Sequence, residues 1–169
     1  VKVIKAKLSA KILRNCAILD FNLDQYVNPN NEAEMNCWNA LCRPAKKVRQ
    51  GDELEIAPDF FAEILEKTDD GFIKIKFDCN GDELMSKLEK YGKIPLPPYI
   101  KRPNQDSNNQ PDQKNYQTCY AAHGTAVAAP TAGLHFNEKI FATLAAKKIK
   151  KTFVTLNVGA GTFLPVRSE

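Results

Sequence analysis

The chain has 169 residues, of which 43% are hydrophobic and 26% are charged. This composition is that of a folded globular protein and excludes collagen-like and intrinsically disordered chains. The formal net charge of +4 permits an RNA or phosphate partner but does not require one. No apolar run is long enough to cross a bilayer and no segment has the pattern of a signal peptide, so we expect a cytoplasmic protein with no membrane partner.

The cysteines are odd in number, irregularly spaced and without any Cys-x-x-Cys motif. They are Cys16, Cys37, Cys42, Cys79 and Cys119. With only His123 and His135 as imidazoles, we expect neither a structural zinc site nor any other metal. We therefore expect reduced cysteines that pack as small apolar side chains.

The first half of the chain has the pattern of short β-strands. The predicted strands span residues 3–13, 17–21, 37–42, 53–56, 60–66 and 72–77. In the last of these, apolar residues alternate with lysine, as in a half-buried strand. Residues 69–71 read Asp-Asp-Gly and predict a hairpin turn, whereas the polar stretch 25–34 predicts a loop. Short strands with close turns indicate a small antiparallel barrel or sandwich.

A short helix and a proline-rich strap follow the strands. Asp82 is a suitable N-cap, and Gly92 sits where a C-cap belongs. The apolar face of this helix would contain Leu84, Met85, Leu88 and Tyr91. Prolines make the strap stiff, and the polar residues 103–115 predict an exposed, mobile loop. Three units are predicted. Residues 1–92 form a barrel domain with one helix, although the start of this stretch could instead belong to the α/β domain. Residues 93–115 form the strap and loop, and residues 116–169 form part of an α/β domain.

Residues 116–169 have a helix-and-strand pattern. The small apolar stretch 125–130 predicts a buried strand, and the loop 131–136 leads to a helix with Asn137 as N-cap. The residues expected to be buried on this helix are Ile140, Phe141, Leu144 and Ala145. The helix ends in lysines, residues 151–158 predict another strand, and 159–162 form a tight loop. Together they predict a β-α-β unit with parallel strands.

The two loops of this unit predict a ligand-binding edge. Each loop leaves a strand, so both should lie at the edge of the sheet where α/β proteins bind ligands. His135 in the first loop could act as a catalytic acid or base or orient a substrate, or it could only position its loop. The loop 159–162 could cradle a phosphate or ribose, or it could be a tight strand exit. It is not a P-loop, because no Gly-Lys-Thr follows.

Basic and aromatic residues at the end of the strap form a second candidate contact. Tyr99 could pack or stack on a base, and Lys101 and Arg102 could meet RNA phosphate or simply be solvated. The lysines at 147–151 are most simply a soluble helix terminus, with RNA contact as the alternative. The strap itself could bind a proline-recognition domain, although a rigid linker is the simpler interpretation.

Motifs of the second half carry a specific signal when taken in order. They are IPLPPYIKR at 94–102, Asp112 with YQTCYA at 116–121, AVAAPTAGLHF at 126–136, and VTLNVGAGTF at 154–163 with Pro165 and Val166. This series resembles the S-adenosylmethionine:tRNA ribosyltransferase-isomerase family across residues 92–166. The strand-rich segment before it falls where that family has an inserted β-barrel domain.

The resemblance implies a mixed α+β or α/β protein, with a small antiparallel β-barrel domain joined to part of an α/β barrel-like catalytic domain. The family transfers and isomerises the ribosyl moiety of S-adenosylmethionine to 7-aminomethyl-7-deazaguanine in tRNA, which gives epoxyqueuosine-tRNA. S-adenosylmethionine is then a consumed donor, and the partner is tRNA carrying the modified wobble base. We expect a monomer.

The resemblance also assigns site residues by matching position. His135 would be the catalytic residue, which handles a proton or orients the substrate. The substrate-binding residues would be Tyr116, Gln117, Thr118, Pro130, Thr131, Ala132, Gly133, Leu134, Phe136, Asn157, Gly159, Ala160, Gly161 and Thr162. Tyr99, Lys101 and Arg102 would contact tRNA.

Two departures from the family bear on activity. The family usually has histidine where this chain has Asn157, and asparagine cannot exchange a proton at neutral pH. The chain also begins without methionine and resembles only the middle portion of the family. We therefore expect it to be poorly stable or inactive alone, and the alternative function is a non-catalytic fragment that acts as an RNA-binding module.

Overall fold

The computed structural model describes residues 5–26, 36–68, 72–97, 100, 110–122, 126, 128–156 and 158. Within them the strands are β1 (Lys7–Ile12), β2 (Ile18–Tyr26), β3 (Cys37–Arg43), β4 (Glu53–Ala57), β5 (Phe60–Lys67) and β6 (Phe72–Phe77). The helices of the same residues are α1 (Gly81–Tyr91), α2 (Gln110–Asn115) and α3 (Glu138–Ala146). Every predicted strand of the first half is present. The predicted turn at 69–71 lies outside the described residues, as does most of the loop 25–34, whose first residues belong to β2.

The strands close into an antiparallel barrel in the order β1-β2-β3-β6-β5-β4. Strand β4 returns to β1 through the pairs Lys11 with Glu55 and Ile12 with Leu54. Closure removes the strand edges at which unpaired backbone groups could bind another chain. The prediction of a small antiparallel β domain is confirmed, and a barrel rather than a sandwich is the form it takes.

Alternating side chains fill the barrel interior. In β1, Leu8, Ala10 and Ile12 are buried while the residues between them are exposed, and β6 has the same period. The largest fully buried side chains include Phe21, Phe60, Phe77, Leu19, Leu54, Ile64 and Ile75. Burying one such side chain contributes about 1.5–3 kcal/mol, so the barrel core holds most of the stabilising apolar burial of the described residues.

Helix α1 closes one end of the barrel. Leu84 and Leu88 are buried in the barrel core, which confirms the predicted apolar face. The ring of Phe60 stacks on that of Phe77 with centroids 5.2 Å apart and on that of Tyr91 with centroids 6.1 Å apart. These contacts tie the last turn of the helix to β5 and β6.

The ends of α1 follow from its backbone. The predicted N-cap is wrong, because the helix begins at Gly81 with Asn80 as the N-cap, so Asp82 lies in the first turn. Gly81 has a φ of 51°, which glycine adopts without strain, and the chain therefore turns into the helix earlier than predicted. Gly92 is the C-cap as predicted. Glycine is required at this position because there is no room for a side chain, since a Cβ atom would collide with the carbonyl oxygen of Lys5.

The strap begins along the first strand of the barrel. Lys93 and Lys7 exchange two backbone hydrogen bonds of 2.8 and 3.0 Å as an isolated antiparallel bridge. Ile94 then enters a second, small cluster of buried residues together with Tyr116 and Ala129. The strap therefore connects the barrel with the segment that carries the candidate site.

The polar segment before Tyr116 is partly helical. The prediction of a mobile loop over 103–115 is wrong at its end, where Gln110–Asn115 form α2. Pro111 falls in the first turn of this helix, where a missing N–H removes no intrahelical hydrogen bond. Residues 101–109 lie outside the described part of the chain.

Helix α3 lies on the surface. Its predicted N-cap is confirmed, since the side-chain oxygen of Asn137 accepts the N–H of Ile140 at 3.0 Å. Its predicted burial is wrong, because none of its residues is buried. Ile140 and Ala145 are exposed, and Phe141 and Leu144 are only half-buried. An apolar helix face is buried only where another layer covers it, and no sheet of the described residues lies against this face.

The predicted β-α-β unit is not formed by the described residues. Residues 151–156 belong to no strand and are exposed, and within 126–130 the described residues contribute only an isolated bridge at Ala126. A strand requires a neighbour to pair its backbone N–H and C=O groups. In the described part of the chain, residues 151–156 have no such neighbour, so an apolar pattern that is typical of a strand does not become one.

Burial divides the cysteines into two groups. None of the five cysteines forms a disulfide within the described residues; Cys37, Cys42 and Cys79 are buried, and Cys16 and Cys119 are exposed. Burial raises the pKa of Cys79 to about 11, which keeps this thiol protonated and unreactive at neutral pH. The prediction of reduced cysteines agrees with all five, whereas their predicted packing as apolar side chains is confirmed for the first group and wrong for Cys16 and Cys119.

Candidate active site

Two neighbouring segments of the second half of the chain, 116–120 and 131–136, meet in the candidate site. A Cβ atom placed on Gly133 would collide with the hydroxyl of Tyr120 and lie 3.1 Å from the methyl group of Thr118. The thiol of Cys119 donates to the backbone oxygen of Phe136 at 3.3 Å. The structure therefore brings residues 116–120 against the loop 131–136, and only glycine at position 133 permits this approach.

The first segment is positioned by α2 and by the small buried cluster. The backbone N–H of Tyr116 donates to the carbonyl oxygen of Asp112 at 2.8 Å, which continues the helical path into the site. The side chain of Tyr116 is buried with Ile94 and Ala129. Gln117 is half-buried beside it. Tyr116 is thus anchored in the buried cluster, and the predicted substrate-binding role of residues 116–118 stays a prediction.

The second segment is a compact turn with its own hydrogen bonds. Thr131–Gly133 form a single turn of 3-10 helix that follows Pro130. The N–H of Gly133 donates to Pro130 at 2.8 Å, that of Leu134 to Thr131 at 3.1 Å, and that of Phe136 to Gly133 at 3.2 Å. Gly133 is buried, whereas Thr131 and Ala132 are exposed. The predicted loop is therefore ordered by its own backbone, with an inner face and a solvent face.

His135 is on the solvent face of this turn. Its Nδ1 lies 3.4 Å from the backbone oxygen of Ala132, a long hydrogen bond. A carbonyl oxygen can only accept, so Nδ1 is the donor in this contact. The other ring nitrogen, Nε2, makes no hydrogen bond within the described residues.

Thr118 supplies a buried polar atom to the same place. Only 3% of this residue is exposed, and its hydroxyl has no hydrogen-bond partner among the described residues. An unsatisfied buried hydroxyl costs about 1–3 kcal/mol. A ligand with a polar atom at this position would offset that cost, which favours a binding role for Thr118.

An aromatic cluster borders the site, and the sequence did not predict it. Tyr120 meets Phe141 edge-on at 5.7 Å and Phe153 at 6.0 Å, and Phe136 stacks on Phe141 at 5.4 Å. The ammonium group of Lys151 lies 4.7 Å from the ring centre of Phe141. These residues come from three separate stretches, so no single stretch of the sequence indicated the cluster.

Several predicted site residues lie outside the described part of the chain. They are Tyr99, Lys101, Arg102, Asn157, Gly159, Ala160, Gly161 and Thr162. The predicted second wall of the site and the predicted tRNA contact on the strap therefore remain predictions. In the residues that the structure does describe, no group of three or more histidine, cysteine, aspartate or glutamate side chains could hold a metal ion. No helix among them is long and apolar enough to cross a membrane.

The chain is similar to proteins of one named family. The family model described as queuosine biosynthesis protein matches residues 1–169. The S-adenosylmethionine:tRNA ribosyltransferase-isomerase of Rhodospirillum rubrum is 42% identical over 168 residues, which are 99% of this chain and 45% of the relative. The relative of the same name from Rickettsia bellii is 43% identical over 99% of this chain and 48% of its own length. The chain thus spans about half the length of the curated relatives it matches.

A solved structure is similar as well. It is the S-adenosylmethionine tRNA ribosyltransferase of Thermotoga maritima, which is 31% identical with a TM-score of 0.40. The match covers 55% of this chain and 29% of that one.

Proposed function

Because the chain belongs to the queuosine biosynthesis protein family, we propose that it transfers and isomerises the ribosyl moiety of S-adenosylmethionine to 7-aminomethyl-7-deazaguanine in tRNA. The product is epoxyqueuosine-tRNA. S-adenosylmethionine and tRNA are the two molecules that the relatives' name contains. In this proposal S-adenosylmethionine is consumed as the ribosyl donor, and no metal takes part.

The observation that carries the proposal is the contact between the two matched motifs. Residues 116–120 and the turn 131–136 meet at Gly133 and Tyr120, with His135 exposed beside them. The two motifs are separated in sequence by residues 121–130, and in the folded chain the side chains of Tyr120 and Thr118 lie against the backbone at Gly133. Their meeting around an exposed imidazole and a buried, unsatisfied hydroxyl supports a ligand-binding and proton-handling site.

The reaction requires proton handling at three points. The amine of the modified base forms a bond to a ribosyl carbon, so this nitrogen must lose a proton. The carbon–sulfur bond breaks with its electron pair going to the sulfur of methionine, which leaves as a neutral thioether. The bond to adenine breaks as well, with its electron pair going to adenine, which takes up a proton on leaving. The ribosyl carbon that loses adenine forms a new bond within the ribosyl group as this group isomerises, and a ribosyl C–H bond supplies the electron pair and releases its proton. A single group that accepts one proton and returns it can serve both the amine and adenine.

The chain's own residues fit separate parts of this chemistry. The Nε2 lone pair of His135 would accept the amine proton, because its Nδ1 is directed to Ala132. The Thr118 hydroxyl would hydrogen-bond a polar group of the substrate. The second wall would come from Asn157, Gly159, Ala160, Gly161 and Thr162. Tyr99, Lys101 and Arg102 would contact tRNA.

A second candidate function is that of an RNA-binding module without catalysis. This function is favoured because the two parts of the chain differ in how completely they bury their apolar residues. The barrel has a closed sheet and a buried core, whereas α3 beside the candidate site has no buried residue. A complete barrel can bind RNA even if the site does not reach a reactive geometry.

The experiment that separates the two functions follows adenine release. The chain is mixed with S-adenosylmethionine and tRNA carrying the aminomethyl-deazaguanine base, and both adenine and the mass of the tRNA are measured. Catalysis predicts adenine release together with the matching mass gain. Replacing His135→Gln should reduce the rate by about a hundredfold or more, the range of a lost acid–base group. tRNA binding should not change.

The matched control is Lys139→Gln, an exposed substitution on α3 close in sequence to the site. It should leave the rate unchanged. tRNA binding without adenine release, also in Asn157→His, would support the RNA-binding module instead. Equal rates for His135→Gln and Lys139→Gln would remove the proposed role of the histidine.

A further inference from the structure

The loop between β3 and β4 exposes a cluster of cations at one end of the barrel. Its members are Arg43, Lys46, Lys47 and Arg49, all exposed. Within the described part of the chain, none of these four side chains forms an ion pair. Asp20 faces Arg43 across the strand pair, but its carboxylate accepts the hydroxyl of Ser9 at 2.5 Å. We call this set the basic loop.

The basic loop is held from the inside by a buried carboxylate. Asp52 is 3% exposed and accepts the guanidinium of Arg14 at 2.6 and 3.1 Å and the backbone N–H of Arg49 at 2.8 Å. Arg14 also donates to the backbone oxygen of Lys47 at 3.1 Å. The Arg14 hydrogen bond holds the pKa of Asp52 below its ordinary value, so this anchor stays charged at neutral pH.

Two further contacts hold the same loop to the barrel. Val48 is buried in the barrel core between the exposed cations. Lys67, at the end of β5, donates to the backbone oxygen of Val48 at 3.2 Å. A backbone fixed at Lys47, Val48 and Arg49 presents its cations at set positions, and a preorganised surface loses less entropy when it binds.

The composition of the basic loop favours phosphate groups over a lipid surface. Proteins that lie on membranes add large apolar side chains to their cations. The exposed residues from 43 to 50 contain no such side chain, since the buried Val48 is the largest apolar residue of this stretch. Arginine and lysine together are typical of phosphate-backbone contacts in RNA-binding proteins.

The position of the basic loop favours a large partner. Strand β1 runs from Lys7, which pairs with Lys93 of the strap, to Ile12, which pairs with Leu54 beside the basic loop. At about 3.3 Å per residue, this strand separates the two places by roughly 17 Å. A partner that contacts both places must span this distance, as a folded RNA can.

We infer that the basic loop is a phosphate-backbone contact for RNA, separate from the site around His135. The inference rests on the proposed function, since tRNA is the substrate proposed there. Lys46 and Lys47 are the side chains that we expect to contact phosphate, because both are exposed and Arg14 fixes the backbone at Lys47. The basic loop and the candidate site would then hold two parts of one RNA molecule.

The test measures tRNA binding by the whole chain as a function of salt. The variant Lys46→Gln/Lys47→Gln should show a log–log salt slope that is smaller by about 2, one for each lost phosphate contact. Between 50 and 200 mM salt, the unmodified chain should lose about tenfold more affinity than the variant, according to the same counterion-release relation. Thermal unfolding should be unchanged, because both side chains are exposed.

The matched control removes two exposed lysines that are not part of the basic loop, one on β6 and one on α1. Lys76→Gln/Lys90→Gln changes the net charge equally and should keep the salt slope of the unmodified chain. Equal slopes for both double variants would overturn the inference while the adenine-release result stands on its own. The inference would also be overturned if Lys46→Gln/Lys47→Gln lost binding to phosphatidylserine vesicles but kept the tRNA binding of the unmodified chain. If the unmodified chain bound no tRNA at all, the inference and the proposed function would fail together.

Discussion

The barrel and the segment from α2 to residue 156 differ in how completely they bury their apolar residues. The barrel has a closed sheet, and Phe21, Phe60 and Phe77 are fully buried in it. The later segment has one small buried cluster and a helix with no buried residue. Phe153 is 58% and Val154 is 78% exposed.

This difference separates stability from function in the molecule. A closed core resists opening, whereas segments with few buried contacts open at low free energy and commonly carry binding or catalytic residues. The basic loop belongs to the first kind of structure and the turn around His135 to the second. The barrel is thus suited to hold a large partner, and the later segment is suited to adjust around a small one.

The largest expected effect comes from one phenylalanine in each region. Phe60→Ala should destabilise the barrel by about 3–5 kcal/mol, because a fully buried ring leaves a cavity. Phe153→Ala should cost less than about 0.5 kcal/mol, because most of its ring is already in water. Urea unfolding followed by circular dichroism measures both, and similar costs for the two variants would contradict the comparison.

An intermediate effect is expected from the anchor of the basic loop. Asp52→Asn should destabilise the barrel by about 2 kcal/mol, since hydrogen bonds to a charged group are lost. The pKa of Asp52 is lowered, first of all by the Arg14 hydrogen bond. A carboxylate with a lowered folded-state pKa stabilises the fold above its unfolded pKa, and this contribution disappears as the pH falls through the folded pKa.

The pH window of that effect lies below about pH 4, the ordinary range of aspartate. Unfolding free energies measured from pH 7 to pH 2 should fall more steeply for the unmodified chain than for Asp52→Asn. Glu53→Gln, at the neighbouring exposed position, is the matched control and should keep the steep acid limb. Parallel curves for the unmodified chain and Asp52→Asn would show that the ion pair between Asp52 and Arg14 contributes nothing to the free energy of unfolding.

The smallest expected effect is a stabilisation rather than a destabilisation, and it lies at the end of α3. The N–H of Lys148 donates to the carbonyl oxygen of Ala145 at 2.9 Å, and that of Ile149 to the carbonyl oxygen of Leu144 at 3.0 Å. In a helix end of this kind, the residue at which the chain turns lies in the left-handed region of backbone conformation. Lys148 has a φ of 57°, which glycine adopts more easily. Lys148→Gly should therefore stabilise this end by about 1 kcal/mol, measured as slower amide exchange at Ile149. Lys147→Gly, with an ordinary φ of −82°, should not.

Short-range features were predictable because they depend on a few neighbouring residues. The alternation of β6 and the N-cap of Asn137 were predicted and are confirmed. The matched motifs also predicted that the segments 116–118 and 130–136 take part in one site, and the folded chain brings them into contact at Gly133. Burial on α3 was predicted wrongly, because an apolar face is buried only if another layer covers it, and periodicity does not report that layer.

By itself, the sequence determined the strand periods, the helix N-cap of α3 and the family, and it predicted residues for the candidate site. Only the tertiary structure decided that Ile12 pairs with Leu54 to close the barrel, that Tyr120 packs on Gly133, and that Asp52 anchors a basic loop. The physical reason is range. Periodicity and capping are settled within one or two turns of chain, whereas closure, close approach and burial depend on residues that are distant in sequence and meet only in the folded molecule.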